Sequence, residues 1–207
     1  MIDAVVGVLL AAGRGRRFDP SGTRPKLLAP APAGPHAGAP LAAAAARNLH
    51  AVLTHVVAVV RPLQATDADA PDPQQQRLHE LLVEEGCTLV ANPDADRGMG
   101  TSLAAGVQAA RDWWPDAKGV LIALADMPAI RPATIEAVAQ AIAQGAPTAA
   151  PVVDGERGHP VGFAFALIGP LLAIRGDHGA RELLRLHPPR PIASDDRGAL
   201  LDIDHAE

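Results

Sequence analysis

Five short aliphatic runs, each followed by a helix-like or polar stretch, set the rhythm of this chain. The runs cover residues 5–10, 55–60, 88–91, 120–124 and 148–153. Their near-continuous Val, Leu, Ile and Ala content is the pattern of strands buried on both faces. Between them lie helical stretches at 41–51, 74–85, 101–112 and 132–144. In the third, Leu103, Val107 and Ala110 recur on one face. In the fourth, Pro132 occupies a first-turn position that tolerates proline, and Ile135, Val138 and Ile142 continue the apolar stripe. Strands alternating with helices predict a mostly parallel sheet covered on both faces, a three-layer α/β/α architecture. Ligands in such sheets gather beyond the carboxyl ends of the strands. Residues 29–40 and 65–73 are rich in Pro, Ala and Gly and carry no hydrophobic period, so they read as loops. After about residue 154 the pattern changes, and His159-Pro160-Val161 opens a segment of antiparallel character.

Composition narrows the picture. A length of 207 residues suits one sizeable core, so the whole chain is expected to form a single domain. Only 2% of residues are aromatic, too few for the stacking platforms of single-stranded nucleic acid binders, and the net charge of -5 disfavours a general polyanion binder. The positive charge is instead local, with Arg14, Arg16, Arg17, Arg24 and Lys26 close together. Cys87 is the only cysteine, so no intrachain disulfide or thiolate cluster can form, and its place at the head of a strand points to packing. Asp3 interrupts the start of the chain and the first apolar run ends at Ala12, which does not fit a secretory signal. No apolar run reaches membrane-spanning length. The expectation is a cytoplasmic enzyme with neither nucleic acid nor membrane as partner.

The richest segment is VVGVLLAAGRGRRFDPSGTRPKLL, Val5 to Leu28. An apolar strand runs into small residues, two glycines and a group of cations. Small residues let backbone approach a ligand closely, and free N–H groups at such a turn form a concavity for anions. Two better-known phosphate loops do not fit. Gly13-Arg14-Gly15-Arg16-Arg17-Phe18 lacks the third glycine of a dinucleotide fingerprint, and no Gly-Lys pair exists for a P-loop. Only Lys26 and Lys118 are lysines among 18 basic residues, and one of them stands beside this loop. A compact ammonium suits triphosphate oxygens whose geometry changes during reaction.

Leu-Ala-Ala-Gly-x-Gly-x-Arg-Phe followed by Lys26-Leu27-Leu28 resembles the signature loop of the molybdopterin nucleotidyltransferases, members of a wider family that transfers a nucleoside monophosphate from a nucleoside triphosphate. The resemblance implies a Rossmann-like, GT-A-like nucleotidyltransferase fold. Residues 1 to about 130 would bind nucleotide and about 150–207 would bind the acceptor. It further implies nucleotide contacts from Leu10, Ala11, Ala12, Gly13, Gly15 and Lys26, with Arg17 and Lys26 catalytic. The spacing from Arg17 to Lys26 is longer than the family's.

Asp126 leaves the buried run 120–125, and a carboxylate there needs a compensating partner. A hard cation such as Mg²⁺ is one, and bonding to turn amides is another. Leu-Ala-Asp-Met-Pro resembles the family's metal-binding segment, which implies Asp126 as a metal ligand with a catalytic role. In Asp202-Ile203-Asp204, strand alternation would turn both carboxylates to one side. The resemblance implies Asp204 as the second Mg²⁺ ligand, with Asp202 as its substitute, although the chain reads His205-Ala206-Glu207 where the family continues Thr-Pro-Glu-Asp-Leu.

Asn92 and the stretch Gly98-Met99-Gly100-Thr101-Ser102-Leu103 resemble the cytidylyltransferase branch and imply nucleotide contacts from Asn92, Gly100 and Ser102. Thr101 and Ser102 are also candidate helix caps. Leu-Ala-Ala-Gly accompanies CTP in the family. Gly158-His159-Pro160-Val161 resembles the acceptor pocket, implying His159 and Pro160 as acceptor residues; a lone histidine before proline also suits a structural role. Gly176-Asp177-His178-Gly179-Ala180-Arg181 resembles another family loop, and Asp177 would also serve as a helix cap.

Together these imply transfer of CMP from CTP to the terminal phosphate of a molybdopterin-type acceptor, with a molybdoenzyme or its maturation chaperone receiving the product. A nucleotidyltransferase for another phosphorylated acceptor, one using GTP, or a non-catalytic cofactor carrier would share much of the sequence.

Overall fold

The computed structural model describes residues 1–15, 18–19, 24–63, 72–174, 176 and 180–204. The expected strands form at β1 (Val5–Leu10), β2 (Val56–Val60), β3 (Thr88–Ala91), β4 (Gly119–Leu124) and β5 (Thr148–Val153). The chain continues through β6 (Glu156–Arg157), β7 (Val161–Ala164) and β8 (Arg190–Ala193). The helices are α1 (Leu41–His50), α2 (Pro73–Glu84), α3 (Met99–Trp113), α4 (Pro132–Ala143), α5 (Ile168–Leu172) and α6 (Arg181–Leu186).

The sheet runs β3-β2-β1-β4-β7-β5-β6, with β8 also paired to β5. Strands β3, β2, β1 and β4 are mutually parallel, and so are β5 and β8. Strand β7 is antiparallel to both β4 and β5, as the changed pattern after residue 154 predicted. The segment 65–73 read as loop ends differently. Asp72 caps α2 by accepting from Gln74 N at 2.9 Å, and Pro73 fills the first helical position.

Each strand feeds two cores because its side chains alternate. Val5 and Leu9 of β1 pack with α1, α2 and α4 on one face. Val6 and Val8 pack with α3, α5 and α6 on the other. Aromatics being scarce, Phe163 is the single large ring among the most deeply buried side chains, and Leu, Ile and Val supply the rest. Helix α3 lies close on the sheet because Gly106 has no side chain. A Cβ there would stand 2.4 Å from Val8 Cγ1 and 2.7 Å from Val59 Cγ2.

The connections through α1 and α2 share one face, whereas α3 carries the chain across the other face to β4. The direction of winding therefore reverses between β1 and β4. Such a switch point leaves a crevice at the carboxyl ends of the two strands.

Candidate active site

The crevice holds the glycine loop and both predicted acidic elements. Ala11 N donates to the Val59 carbonyl at 2.9 Å, and Ala125 N donates to the Leu10 carbonyl at 3.1 Å, fixing the exits of β2, β1 and β4 side by side. Gly15 adopts φ +61°, and its carbonyl accepts from Phe18 N at 2.9 Å and Asp19 N at 3.2 Å, turning the loop back. The buried Asp19 carboxylate accepts from Arg24 N at 2.7 Å, which ties the two ends of the long excursion before Pro25. Residues 20–23 lie outside the described residues, and Lys26 on their far side stands beside the glycine loop. A Cβ on Gly15 would stand 2.8 Å from Lys26 Cβ, so the loop backbone lies directly over the lysine stem.

Lys26 is 9% exposed, and its Nζ donates to Asp126 Oδ2 at 2.7 Å and to Asp204 Oδ1 at 2.8 Å. Burial pulls the lysine pKa down, but the two carboxylates outweigh it and hold the ammonium above its ordinary value. Asp204 is delivered by its neighbour. Ile203 N donates to the Asp126 carbonyl at 3.1 Å, and the Ile203 side chain packs against the Ala31, Leu41 and Ala44 cluster. Residues 201–204 form no strand, so the alternation expected for Asp202 and Asp204 is not met. Asp202 is exposed, and Asp204 is the member of the pair that reaches Lys26.

The donor set fits a hard divalent cation. Two carboxylates converge on one positively charged atom, and oxygen ligands are what such ions prefer. Among the described residues no three His, Cys, Asp or Glu side chains gather as a metal cage. A two-carboxylate site suits an ion that completes its shell with water and phosphate oxygens.

Beside this cluster lies a cavity of about 510 Å³. It is lined by Leu10, Ala12, Gly13, Gly15 and Phe18 from the loop after β1, by Lys26, Asp126 and Asp204, and by Gly98, Met99 and Ser102 at the start of α3. Its volume is in the range of small-molecule sites. The start of α3 is held by Asn92, whose amide donates to Thr101 Oγ1 at 2.9 Å and Ser102 Oγ at 3.0 Å while its Oδ1 accepts from Asp94 N at 3.0 Å. Asn92 and Gly100 are buried and do not line this cavity, and Asn92 clamps the β3 exit to the helix. Gly98, at φ 112°, precedes α3 at its N-cap position, so Thr101 and Ser102 do not cap it. The Thr101 hydroxyl instead turns back to the Asp94 and Gly98 carbonyls.

His159 and Pro160 lie between β6 and β7, and neither lines the large cavity. His159 N donates to the Ala199 carbonyl at 2.8 Å. Its imidazole pKa is lowered by burial, an effect that Asp126 partly offsets, and its Nδ1 has no hydrogen-bond partner. Pro160 borders a small void beneath Leu124 and Met127. Arg17, the segment Asp177 to Gly179 and His205 to Glu207 lie outside the described residues.

Two residues that sequence reading did not single out join this lining. Arg61 leaves the end of β2 and donates to Asp96 Oδ1 at 2.7 Å, while Arg14 grips the same carboxylate with two bonds of 2.7 and 2.6 Å. The two guanidinium groups hold the Asp96 carboxyl well below the usual carboxylate range. These three side chains border both the large cavity and a second one of about 350 Å³, which reaches Gln75, Leu78 and His79 on α2. Arg61 follows a buried strand directly, the kind of position where α/β folds gather ligand contacts, and that was its one signal in the sequence.

A family model described as a MobA-like NTP transferase domain matches residues 7–192. Among solved structures, Rv0371c from Mycobacterium tuberculosis H37Rv superposes with a TM-score of 0.75 at 21% identity, covering 99% of this chain and 95% of that one. The same protein in complex with manganese gives a TM-score of 0.66 at 20% identity, over 94% of this chain and 89% of that one. Mth528, a nucleotidyl transferase from Methanothermobacter thermautotroptrophicus, gives 0.72 at 21% identity, over 99% and 93%. These likenesses establish the shared fold. No curated protein sequence matches the chain.

Proposed function

The chain belongs to the MobA-like NTP transferase family, and from that premise we propose that it transfers CMP from CTP to the terminal phosphate of a molybdopterin-type acceptor. An acceptor phosphate oxygen bonds to the α-phosphorus of CTP, and the bond from that phosphorus to the β-bridging oxygen breaks, releasing pyrophosphate. The observation that carries the reading is the convergence of Lys26, Asp126 and Asp204 beside the glycine loop.

The attacking group needs no side-chain base, since a phosphate monoester with a second pKa near about 6 is already largely ionised at neutral pH. The barrier is the approach of one anion to another. Lys26 and the amides of the loop offset it with fixed positive charge and hold the triphosphate in line. Arg17 adds to that charge in this reading. Asp126 and Asp204 would hold Mg²⁺, which supplies further positive charge to the phosphate oxygens when bound. Leu10, Ala11, Ala12 and Gly13 let the nucleotide lie against backbone, and Ser102, oriented by Asn92, offers a hydroxyl from the start of α3. The choice of CTP rests on the Leu-Ala-Ala-Gly loop and the Gly-Met turn before Ser102. The acceptor side is assigned to the segment around His159 and Pro160, and a molybdoenzyme or its chaperone would take the product.

The test incubates the protein with Mg²⁺, purified molybdenum cofactor and CTP, GTP or ATP, and measures pyrophosphate. Release with CTP well above that with the purine nucleotides is expected, and Asp126→Ala should remove most of it. Tight binding of cofactor and CTP without pyrophosphate would replace the transferase with a carrier.

A further inference from the structure

The carboxylates of Asp126 and Asp204 come from distant parts of the chain, and the charge between them is that of Lys26. One oxygen of each carboxylate is bonded to the ammonium. A divalent cation held by the same pair competes for those oxygens and repels the ammonium at close range. Both cannot occupy the pair at full strength.

We propose that Lys26 is the resident counter-ion of this carboxylate pair, and that divalent metal is admitted as the lysine turns out toward the phosphates of an arriving nucleotide. The nucleotide half of this inference rests on the function proposed above; the exclusion of metal by Lys26 rests on the geometry alone.

The surroundings allow a movement confined to the side chain. The Lys26 backbone is fixed, with Leu28 N donating to the Pro25 carbonyl at 3.1 Å and Ala29 N to the Lys26 carbonyl at 3.0 Å. The large cavity opens beside the ammonium, and Gly13 and Gly15 line it without side chains of their own. Among the described residues, the other two cations bordering the cavity, Arg14 and Arg61, are both engaged with Asp96. Metal and nucleotide would then bind cooperatively. Each would raise the other's affinity by the same factor, because linkage is reciprocal.

The test is a titration of the full chain with Mn²⁺ alone, following the free ion by its paramagnetic resonance signal, for wild type, Lys26→Met and Lys26→Arg. Lys26→Met should bind Mn²⁺ at least about tenfold more tightly than wild type, within the ordinary range of coupling between sites. Lys26→Arg, which keeps the charge, should stay near wild type. Unchanged or weaker binding in a folded Lys26→Met protein would overturn the proposal. Should that variant fail to fold, Lys26→Gln is read in the same way, with folding checked by circular dichroism. In a second arm, CTP should tighten Mn²⁺ binding to wild type more than to Lys26→Met; an equal effect in both would overturn the coupled release. Pyrophosphate formation is a separate readout. Tighter Mn²⁺ binding to Lys26→Met, together with no pyrophosphate from CTP and molybdenum cofactor in wild type, would leave the exclusion standing and remove the proposed substrate.

Discussion

Gly13 and Gly15 stand two positions apart in the loop after β1, yet the space around them differs. A side chain at Gly13 would meet no protein atom within 4 Å, because the position faces the cavity. A side chain at Gly15 would collide with the Lys26 stem, and the φ of +61° is one that L-residues resist. Gly13→Ala should therefore leave stability within about 0.5 kcal/mol of wild type while weakening CTP binding. Gly15→Ala should cost about 1–2 kcal/mol from the backbone conformation alone and should also disturb Lys26. Urea unfolding and the CTP-dependent rise in melting temperature separate the two outcomes. A strongly destabilised Gly13→Ala protein would mean that the loop packs more tightly than described. The chemistry at this scale was legible where residue types cluster in sequence, as in the glycine loop with Lys26 and in Asp126. The Arg14–Asp96–Arg61 bridge was not, because its members are scattered singly along the chain and only folding joins them.

Helix α3 shows how one small residue sets the position of a whole element. Alanine is favoured over glycine inside a helix by about 1 kcal/mol, so Gly106→Ala should stabilise an isolated α3. In the folded chain the added Cβ would press on the buried Val8 and Val59, and overpacking of that kind costs about 1–3 kcal/mol. The clash should win. Gly106→Ala is expected to lower the urea midpoint and to shift the α3 start that carries Ser102, weakening CTP binding with it. A higher midpoint would show that the helix can lift from the sheet without cost. The principal strands and helices were readable because their apolar periods are long and clear. Strand β8, mostly exposed, and the two-residue β6 carry too little pattern to be seen. Insertion of β7 between β4 and β5 is likewise a tertiary choice that periodicity does not encode.

At the scale of the whole molecule, two half-buried histidines among the described residues, His50 and His159, make stability respond to acid. Burial lowers the pKa of His50, against smaller opposing effects of its backbone bond with Leu53 and the charge of Glu85. Burial likewise lowers that of His159, where Asp126, a backbone bond with Ile122 and Asp202 oppose it and Arg157 reinforces it. His50 Nε2 also lies 3.8 Å from Cys87 Sγ, whose thiol is pushed up to about 12, chiefly by burial, so the sulfur stays protonated and the neutral ring can accept from it. In the unfolded chain both histidines titrate near about 6.5. Just below that pH the unfolded state binds more protons than the folded one, so stability falls as the solution is acidified. Lys26 works at the other limit. Its raised pKa gives stability that is whole below about 10.5 and is lost as pH climbs through the folded value. The urea midpoint should thus be level from about pH 7 to 8. Above that it should fall, as the Cys87 thiol ionises near about 8.5 in the unfolded chain but not in the folded one. On the acid side it should decline from about 6.5 toward 5, before carboxylates near about 4 contribute. A His50→Gln/His159→Gln double variant, whose side chains do not titrate, should lose most of that decline. If the wild-type midpoint at pH 5 equals that at pH 7, the two rings are as easily protonated in the folded protein as in the unfolded chain, and the burial argument fails.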